Sequence, residues 1–220
     1  MIEYDEFQGW CILKDDRSLQ RAVKKQVRQS VDYYQLHHLD AAIKQVHRRG
    51  VAVDIGAHYG VMTRNLAKLF KHVHSFEIDP NVYSCLEKNM QTFKVHNATT
   101  YPYGLGDKQA QVGLNFKQGK TFSTHVNLSA TDNLVPVRTL DSFDIRDVDL
   151  IKIDAEGFEP LIIQGGLNTI EKYKPVILYE CKGHETRYGY ERDAVLTMLE
   201  PLGYQELHLW DLKNKLIAVK

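Results

Sequence analysis

Carboxylate side chains cluster in the segment KIDAEGFEP, where Asp154, Glu156 and Glu159 fall within six residues. Two more ionisable side chains, Glu180 and His184, follow in the segment LYECKGHE. Carboxylates and histidine are the side chains that most often take a proton from a reacting hydroxyl group. The two segments therefore supply four candidate general bases, namely Asp154, Glu156, Glu180 and His184.

Carboxylate oxygens are also the ligands of hard cations, so Asp154, Glu156 and Glu180 could instead form a Mg²⁺ site. The spacing of these residues does not distinguish a base from a ligand, and we assign no residue as a metal ligand. Glu159 has a structural interpretation as well, because Glu159-Pro160 suits the start of a helix. There the helix dipole stabilises a carboxylate by about 0.3–1 kcal/mol.

The segment VAVDIGAHYG, residues 51–60, joins a short apolar run to two glycines. Gly56 permits a tight turn, and Gly60 permits close packing at the start of a helix. The chain contains neither GxGxxG at this position nor GxxxxGK[ST], which argues against a dinucleotide fingerprint and a P-loop. His58 and Tyr59 would crowd a pyrophosphate. The turn therefore favours a nucleoside cofactor without phosphates, such as S-adenosylmethionine.

Glu77 lies near the end of the next apolar run, HVHSFEI. A carboxylate at the end of a second strand can accept hydrogen bonds from both hydroxyl groups of a ribose. Asp54, at the end of the first run, offers an acceptor for the ammonium group of S-adenosylmethionine, through the loop or a bridging water. An alternative interpretation of Glu77 is a carboxylate that interacts with the dipole of the helix starting at Pro80.

These residues must be brought together by a sheet. From residue 51 onward, strand-like runs alternate with helical segments, which is typical of a mostly parallel sheet with helices on both faces. We predict strands at 51–55, 72–78, 98–105, 148–154 and 175–181, a β-rich insertion over 108–138, and a C-terminal antiparallel hairpin of YQELHLW and KLIAVK that turns about Asp211 to Asn214. We predict helices over VMTRNLAKLF, over NVYSCLEKNMQTF with Asp79 as the cap, over EPLIIQGGLNTIEKY and over ERDAVLTMLEPLG. Ligands of such sheets bind outside the carboxyl ends of the strands.

The N-terminal segment has a different texture. Apolar residues recur at helical spacing over residues 18–48, with Ser18 as the N-cap and a break near Asp32 to Gln35. We predict a helical extension, residues 1–49, that packs on a domain formed by residues 50–220 in one globular unit. Residues 17–49 contain eight Lys or Arg and two Asp, so a solvated basic face or a surface for an anionic acceptor or a partner chain is expected there.

Lys152 lies inside an apolar strand run and shares one face of that strand with Leu150 and Asp154. A lysine in such a position needs a partner of opposite charge. We therefore predict an ion pair between Lys152 and an acid on a neighbouring strand, either Asp54 or Glu180.

With these motifs in place, the chain resembles the FkbM-type family of class I S-adenosylmethionine-dependent methyltransferases over about residues 50–185. His58 departs from the asparagine that is usual in the family, and Ile78 from a frequent proline. The resemblance is carried by VDIGAHYGVMT, similar to the family's D-x-G-A-N-x-G-x-x-T, and by FEIDPNVYSCLEKNM, GLGD, VRTLDSF and DLIKIDAEGFEPLIIQGG.

The resemblance implies a Rossmann-like fold with a seven-stranded sheet and methyl transfer (EC 2.1.1) to a hydroxyl group of a sugar, a glycan or another small molecule. It also implies a flap over the acceptor at Thr121 to Asn127. The cofactor-binding residues expected from the turn, from Glu77 and from the resemblance are Asp54, Gly56, Ala57, His58, Gly60, Thr63, Glu77, Ile78, Gly104, Asp107 and Asp154.

Two other functions are compatible with the same core. One is a nucleic-acid or protein methyltransferase, although the chain lacks the N/D-P-P-Y/F signature of many enzymes that methylate amino groups of nucleic acids. The other is a protein that binds S-adenosylmethionine without catalysis, because a fold does not determine a function.

The composition narrows the cellular setting. Lys plus Arg and Asp plus Glu number 28 each, so net charge gives no argument for nucleic acid or an anionic membrane. Cys11, Cys85 and Cys181 lie far apart and form no CxxC pair, which argues against a disulfide framework and a structural zinc site. The acidic N-terminus and the absence of an apolar run of about 20 residues favour a cytoplasmic protein that does not enter membranes.

Overall fold

The computed structural model describes residues 2–116, 119–207 and 213–219. Strands and helices alternate along most of these residues, as the sequence pattern predicts. The strands are β1 Tyr4–Phe7, β2 Trp10–Leu13, β3 Val51–Ile55, β4 His72–Phe76, β5 Ala98–Tyr101, β6 Gly104–Leu105, β7 Ala110–Asn115, β8 His125–Asn127, β9 Val135–Arg138, β10 Val148–Ile153, β11 Val176–Glu180, β12 Tyr204–Leu207 and β13 Asn214–Val219. The helices are α1 Ser18–Lys24, α2 Leu36–Ile43, α3 Val61–Ala67, α4 Pro80–Thr92, α5 Glu159–Gln164, α6 Leu167–Tyr173 and α7 Ala194–Leu199.

The central sheet has seven strands in the order β12-β13-β11-β10-β3-β4-β5. Strands β11, β10, β3, β4 and β5 pair in parallel, whereas β13 runs antiparallel to both β11 and β12. The predicted mostly parallel sheet with an antiparallel C-terminal hairpin is confirmed. Residues 208–212, which are the end of the predicted strand YQELHLW and the first two residues of the predicted turn, lie outside the described residues.

Both faces of the sheet are covered, and the alternation of side chains along each strand explains how. In β3, Val53 and Ile55 belong to the core cluster that contains residues of α5, α6 and α7, whereas Ala52 belongs to the cluster that contains residues of α2 and α3. Because successive residues of a strand point to opposite faces, a strand buried on both faces reads as a continuous apolar run. This is the pattern of VAVDI.

Two predicted elements are interrupted in the structure. The strand predicted over 98–105 divides at Pro102, which cannot donate to a strand ladder, so β5 stays in the central sheet and β6 joins another. The helix predicted over 159–173 divides at Gly165 and Gly166 into α5 and α6. A Cβ atom on Gly165 would overlap the carbonyl oxygen of Gly106, so this junction lies against the chain after β6.

The β-rich insertion is confirmed as a four-stranded sheet in the order β6-β9-β7-β8. Strand β9 pairs in parallel with β6 and antiparallel with β7, and β7 pairs antiparallel with β8. Its buried residues Val112, Val126 and Val137 belong to the same core cluster as the central strands. The insertion therefore packs on the sheet and forms one wall above its carboxyl edge.

The N-terminal segment differs from the predicted helical extension. Strands β1 and β2 form an antiparallel hairpin that sequence reasoning missed. Ser18 is the first residue of helix α1, and Arg17 takes the N-cap position that was predicted for Ser18. The helix ends at Lys24, and α2 begins only at Leu36. Val27, an apolar residue of the stretch predicted as helical, is fully exposed and therefore does not anchor a helix to the core. The division into residues 1–49 and 50–220 stays a prediction.

No helix among the described residues combines the length and the apolar character that crossing a membrane requires.

Candidate active site

A cavity opens at the carboxyl ends of β3, β4 and β10, the place that the topology predicts for a ligand. Loops after these strands form its floor, and residues from the N-terminal segment and the insertion form its roof. The floor is lined by Gly56, Ala57, His58, Glu77, Ile78, Asp154 and Glu156, and the roof by Tyr34, Gln35, Thr121, Phe122, Thr124 and His125.

The turn after β3 is tied to the end of β4. The backbone N–H groups of Gly56 and Ala57 both donate to the carbonyl oxygen of Phe76, at 3.0 Å. Gly56 has a φ of 73°, and a Cβ atom there would overlap the carbonyl oxygen of Asp154. The tight turn and the close approach to β10 thus both require glycine.

Gly60 has a different role from Gly56. It precedes α3 with a φ of 88°, and a Cβ atom on it would lie 2.7 Å from the terminal methyl carbon of Met90 in α4. Gly60 therefore permits close packing of the two helices, and it does not belong to the described cavity lining.

Glu77 is buried and faces the cavity from the end of β4. Its Oε1 accepts a hydrogen bond from the backbone N–H of Asp79 at 2.9 Å, and its Oε2 accepts one from the backbone N–H of His58 at 2.8 Å. Burial raises the pKa of Glu77 to about 7, against the opposing effect of these two donors. The carboxylate is thus fixed in orientation and retains lone pairs for a ligand.

His58 turns its ring toward the roof. Its Nε2 lies 2.7 Å from Oγ1 of Thr121, and its ring meets that of Phe122 edge-on at 4.6 Å. Burial lowers the pKa of His58 to about 4, so the ring is neutral near pH 7. The ring therefore forms part of the cavity wall, and its backbone N–H positions Glu77.

Lys152 and Asp54 form a buried ion pair, as predicted. Lys152 Nζ lies 3.3 Å from Asp54 Oδ1 and 4.0 Å from Asp154 Oδ2, and it donates to the carbonyl oxygen of Gly56 at 3.1 Å. The other oxygen of Asp54 accepts from the hydroxyl of Thr63 at 2.7 Å. Asp54 is fully buried and does not line the cavity, so its carboxylate balances a lysine instead of facing a ligand.

Lys182, which sequence reasoning missed, lies between acidic side chains that follow β10 and the one that ends β11. Lys182 Nζ contacts Glu180 Oε1 and lies 3.7 Å from Glu156 Oε1. Burial opposes ionisation of Asp154, but the charges of Lys152 and Lys182 outweigh it and hold the pKa of Asp154 below its usual value. Asp154 is thus ionised at neutral pH and lines the cavity.

Glu180 behaves oppositely. Burial and the charge of Asp154 raise the pKa of Glu180 to about 10, which leaves it protonated near pH 7. Burial likewise raises the pKa of Glu156, whose backbone has a φ of 52°. Glu180 and His184 do not belong to the described cavity lining, whereas Glu156 and Lys182 do.

Glu159 lies at the predicted helix start. It begins α5, is almost fully buried and accepts a hydrogen bond from the backbone N–H of Ala155 at 2.8 Å. Burial raises the pKa of Glu159 to about 8. The side chain closes the loop that carries Glu156 and does not line the described cavity.

The structure thus separates the predicted site residues into two groups. The residues of the first group line the cavity; they are Gly56, Ala57, His58, Glu77, Ile78, Gly104, Asp154 and Glu156. The others, which lie outside this lining, are Asp54, Gly60, Thr63, Asp107, Glu180 and His184. Asp107 lies 3.9 Å from Lys108 in an ion pair of side chains that are partly exposed.

Asp154, Glu156 and Glu180, the alternative Mg²⁺ ligands, do not form one cluster with the spacing of a metal site among the described residues. Among the described residues, the cluster with suitable spacing contains Glu156, Glu180 and His184. Asp154 is not part of it and lies instead near Lys152. The comparisons below give Mg²⁺ no support.

Comparison with known proteins places these features in a family. Residues 54–206 match the family model described as "Methyltransferase FkbM domain". No curated protein matches the sequence significantly.

Solved structures share the fold at low sequence identity. The chain is similar to the methyltransferase FkbM of Methylobacillus flagellatus, with 15% identity, a TM-score of 0.55, and coverage of 92% of this chain and 58% of that one. It is also similar to a candidate methyltransferase of Streptococcus mutans in complex with SAH, with 13% identity, a TM-score of 0.53, and coverage of 84% and 96%. An rRNA methylase of Streptococcus thermophilus has 14% identity, a TM-score of 0.51, and coverage of 86% and 97%. The chain thus spans little more than half of the Methylobacillus protein.

Proposed function

Because this chain belongs to the FkbM family of methyltransferase domains, we propose that it transfers the methyl group of S-adenosylmethionine to a hydroxyl oxygen of a sugar, a glycan or another small acceptor. The observation that carries the proposal is the pair of carboxylates on the cavity floor, Glu77 after β4 and Asp154 after β10. One is suited to a ribose and the other to the reacting end of a cationic cofactor.

The cavity suits a cofactor without phosphates. A pyrophosphate is bound by bare backbone amides at a glycine-rich turn, but here the amides of Gly56 and Ala57 are engaged by Phe76, and the amide of His58 by Glu77. The carboxylates that face the cavity would repel phosphate groups. They favour the cationic ligand S-adenosylmethionine, with Glu77 accepting from its ribose hydroxyls.

When bound, S-adenosylmethionine supplies an electrophilic methyl group, and the protein must supply alignment and a proton acceptor. In the balanced reaction the acceptor oxygen gains the methyl carbon, the carbon–sulfur bond breaks, and the hydroxyl proton leaves the oxygen. Asp154 is ionised and lines the cavity, so it can take that proton, but its lowered pKa makes it a weaker base than an ordinary carboxylate. Glu156 is the second candidate base.

The roof supports a small, ring-containing acceptor. Tyr34 and Phe122 stack at 5.8 Å between centroids over the cavity, and His125 lines the same side. Aromatic faces cover flat or cyclic groups and exclude water, which also limits competing hydrolysis. Such a roof restricts the entry of a large polymer into the cavity. We therefore favour a small acceptor over nucleic acid or protein.

Calorimetry with S-adenosylhomocysteine, the product that remains after methyl transfer, tests cofactor binding first. We expect binding that Glu77→Ala weakens by at least about tenfold, since a ligand's hydroxyl groups would lose a charged acceptor worth about 1.5–3 kcal/mol. Glu87→Ala, which removes an exposed glutamate of α4, is the matched control and should bind as the unmodified protein does. Binding of NAD in place of S-adenosylhomocysteine would refute the proposal.

Transfer of a labelled methyl group tests the acceptor class. The protein is incubated with labelled S-adenosylmethionine and fractionated glycans, small metabolites, RNA or protein. Label in the glycan or small-molecule fraction supports the proposal. Label in RNA or protein identifies the rival methyltransferases, and cofactor binding without transfer to any fraction identifies a non-catalytic binding protein.

A further inference from the structure

Three side chains beside the cavity form what we call the Glu-Glu-His cluster, namely Glu156, Glu180 and His184. One ligand atom from each lies within 4.8 Å of the others. Glu180 ends β11, Glu156 follows the neighbouring strand β10, and His184 begins the short helical turn His184–Tyr188. Glu180 therefore projects from the end of a strand, and Glu156 from the turn that follows the adjacent strand.

The carboxylate oxygens of this cluster are only partly used. The ammonium group of Lys182 faces Oε1 of both Glu156 and Glu180. Glu180 Oε2 is buried, in a residue that is only 4% exposed, and no described donor faces it. A cation that binds there must displace the proton of this carboxyl group.

His184 brings an imidazole nitrogen to the same place as the two glutamates. Its Nδ1 is buried and makes no hydrogen bond to any described residue, yet it lies 3.0 Å from Glu156 Oε2. Two atoms with lone pairs rarely lie so close without a proton or a cation between them. Neighbouring ligands in a six-coordinate site with bonds of about 2.1 Å are separated by about 3 Å, which matches this distance.

We propose that Glu156, Glu180 and His184 bind one first-row divalent cation such as Mn²⁺ or Zn²⁺ at the edge of the cavity. Mixed carboxylate and imidazole ligands suit these ions, whereas Mg²⁺ and Ca²⁺ favour oxygen ligands alone. Glu156 lines the cavity, so the open coordination positions would face the methyl acceptor. Polarisation of the acceptor hydroxyl is the role that follows from the proposed function; binding of the ion does not depend on that function.

Titration of the chelator-treated 220-residue chain with Mn²⁺ tests the site, with the free ion measured by electron paramagnetic resonance and no cofactor present. We expect one ion per chain, competition by Zn²⁺, and affinity weakened by at least about tenfold in His184→Gln and Glu180→Gln. His96→Gln replaces an exposed histidine after α4 and should bind as the unmodified protein does. Absence of binding, or equal affinity in all variants, overturns the proposal.

Substitution of Lys182 is a second test, and it distinguishes a metal site from a cluster with a purely structural role. Its ammonium group competes with a cation for the same two carboxylates, so Lys182→Met should bind Mn²⁺ more tightly. Mn²⁺ should also raise the melting temperature of this variant more than that of the unmodified protein. Unchanged or weaker binding by Lys182→Met contradicts the site.

The two proposals fail in different ways. S-adenosylhomocysteine binding in metal-free buffer depends on Glu77 and not on the Glu-Glu-His cluster. If the metal proposal alone is wrong, S-adenosylhomocysteine still binds and Mn²⁺ does not. If the proposed function alone is wrong, Mn²⁺ binds and S-adenosylhomocysteine does not.

Discussion

At the scale of residues, the pair of Lys152 and Asp54 links the core to the site. Both side chains are buried, and Lys152 also binds the carbonyl oxygen of Gly56 in the turn. The pair thus connects adjacent strands β10 and β3 to the loop that lines the cavity. A buried charge is tolerated here because each partner neutralises the other.

Lys152→Met should therefore destabilise the protein by about 3–5 kcal/mol, because Asp54 would remain buried without a counter-charge. Chemical denaturation measures the free energy of unfolding. The double variant Lys152→Met/Asp54→Asn should recover part of the loss, since the uncompensated carboxylate is removed.

The matched control for this prediction is Lys215→Met. Lys215 pairs with Glu206 at 2.8 Å, but 43% of the Glu206 side chain is exposed, and pairs of this kind contribute at most about 1 kcal/mol. Equal losses in Lys152→Met and Lys215→Met would show that burial of the Asp54 pair has no special importance.

Because Glu77 titrates near neutral pH, we expect the proposed binding of the cofactor to depend on pH. Burial raises its pKa from an ordinary 4.5 to about 7, so the carboxylate form, the better acceptor for ribose hydroxyls, predominates only above that pH. Binding of S-adenosylhomocysteine should weaken as the pH falls from about 8 to about 6, by at most about tenfold per unit. The pKa of His58 is about 4, so its ring does not titrate in this range.

Calorimetry at several pH values checks this expectation. Glu77→Gln keeps the shape of the side chain but cannot ionise, so its binding should be weaker and flatter with pH. A pH dependence that persists in Glu77→Gln would assign the titration to another group.

At the scale of elements, the short helical turn Thr121–Ser123 is fastened over the cavity by Asp16 of the N-terminal segment. Asp16 Oδ2 accepts from the hydroxyl of Thr121 at 2.8 Å and from that of Tyr59 at 2.9 Å. Its Oδ1 accepts from the backbone N–H of Thr121 at 3.2 Å. The predicted flap at Thr121 to Asn127 thus forms part of the roof; its movement stays a prediction.

Asp16→Asn should loosen this turn, because an amide nitrogen cannot accept either hydroxyl. Each lost hydrogen bond to a charged group is worth about 1.5–3 kcal/mol, so the amide of Thr121 should exchange with solvent faster and S-adenosylhomocysteine should dissociate faster. Hydrogen exchange and stopped-flow kinetics measure the two effects. Asp15→Asn, at the exposed neighbouring position, should change neither rate. An unchanged rate of hydrogen exchange at Thr121 in Asp16→Asn would show that Asp16 does not hold this turn in place.

At the scale of the whole molecule, the N-terminal hairpin shares a core with the sheet domain. Trp10, which is 2% exposed, and Ile12 belong to one buried cluster with Tyr59, Val61 and Val82. A hydrophobic core shared in this way couples the unfolding of its parts. We therefore expect residues 1–49 to unfold together with the rest of the chain.

Trp10→Ala should lower the free energy of unfolding by about 3–5 kcal/mol, the usual cost of removing a buried aromatic side chain. Thermal unfolding followed by calorimetry should still show one transition. Phe116→Ala, which removes a side chain that is 72% exposed, should change the free energy by less than about 0.5 kcal/mol. Two separate transitions would show that the N-terminal segment is an independent unit.

The sequence by itself determined the fold class and the floor of the site. Strand patterns that alternate with helix patterns, and strands that are mostly apolar, favour a parallel sheet covered on both faces. The positions of Gly56, Glu77 and Asp154 at strand ends then place them at one edge, because the carboxyl ends of parallel strands meet there. These are local patterns with a fixed geometric consequence, so one sequence is enough to predict them.

The tertiary structure alone decided which charges face the cavity. Asp54 and Asp154 look alike in sequence, yet Lys152 holds Asp54 inside the core and leaves Asp154 on the cavity floor. Lys182 and Asp16 carried no motif, because their roles arise from contacts with residues distant in the chain or on the neighbouring strand. The direction in which a side chain points and the residue with which it pairs depend on the packing of distant segments. Periodicity and spacing in the sequence do not encode that packing.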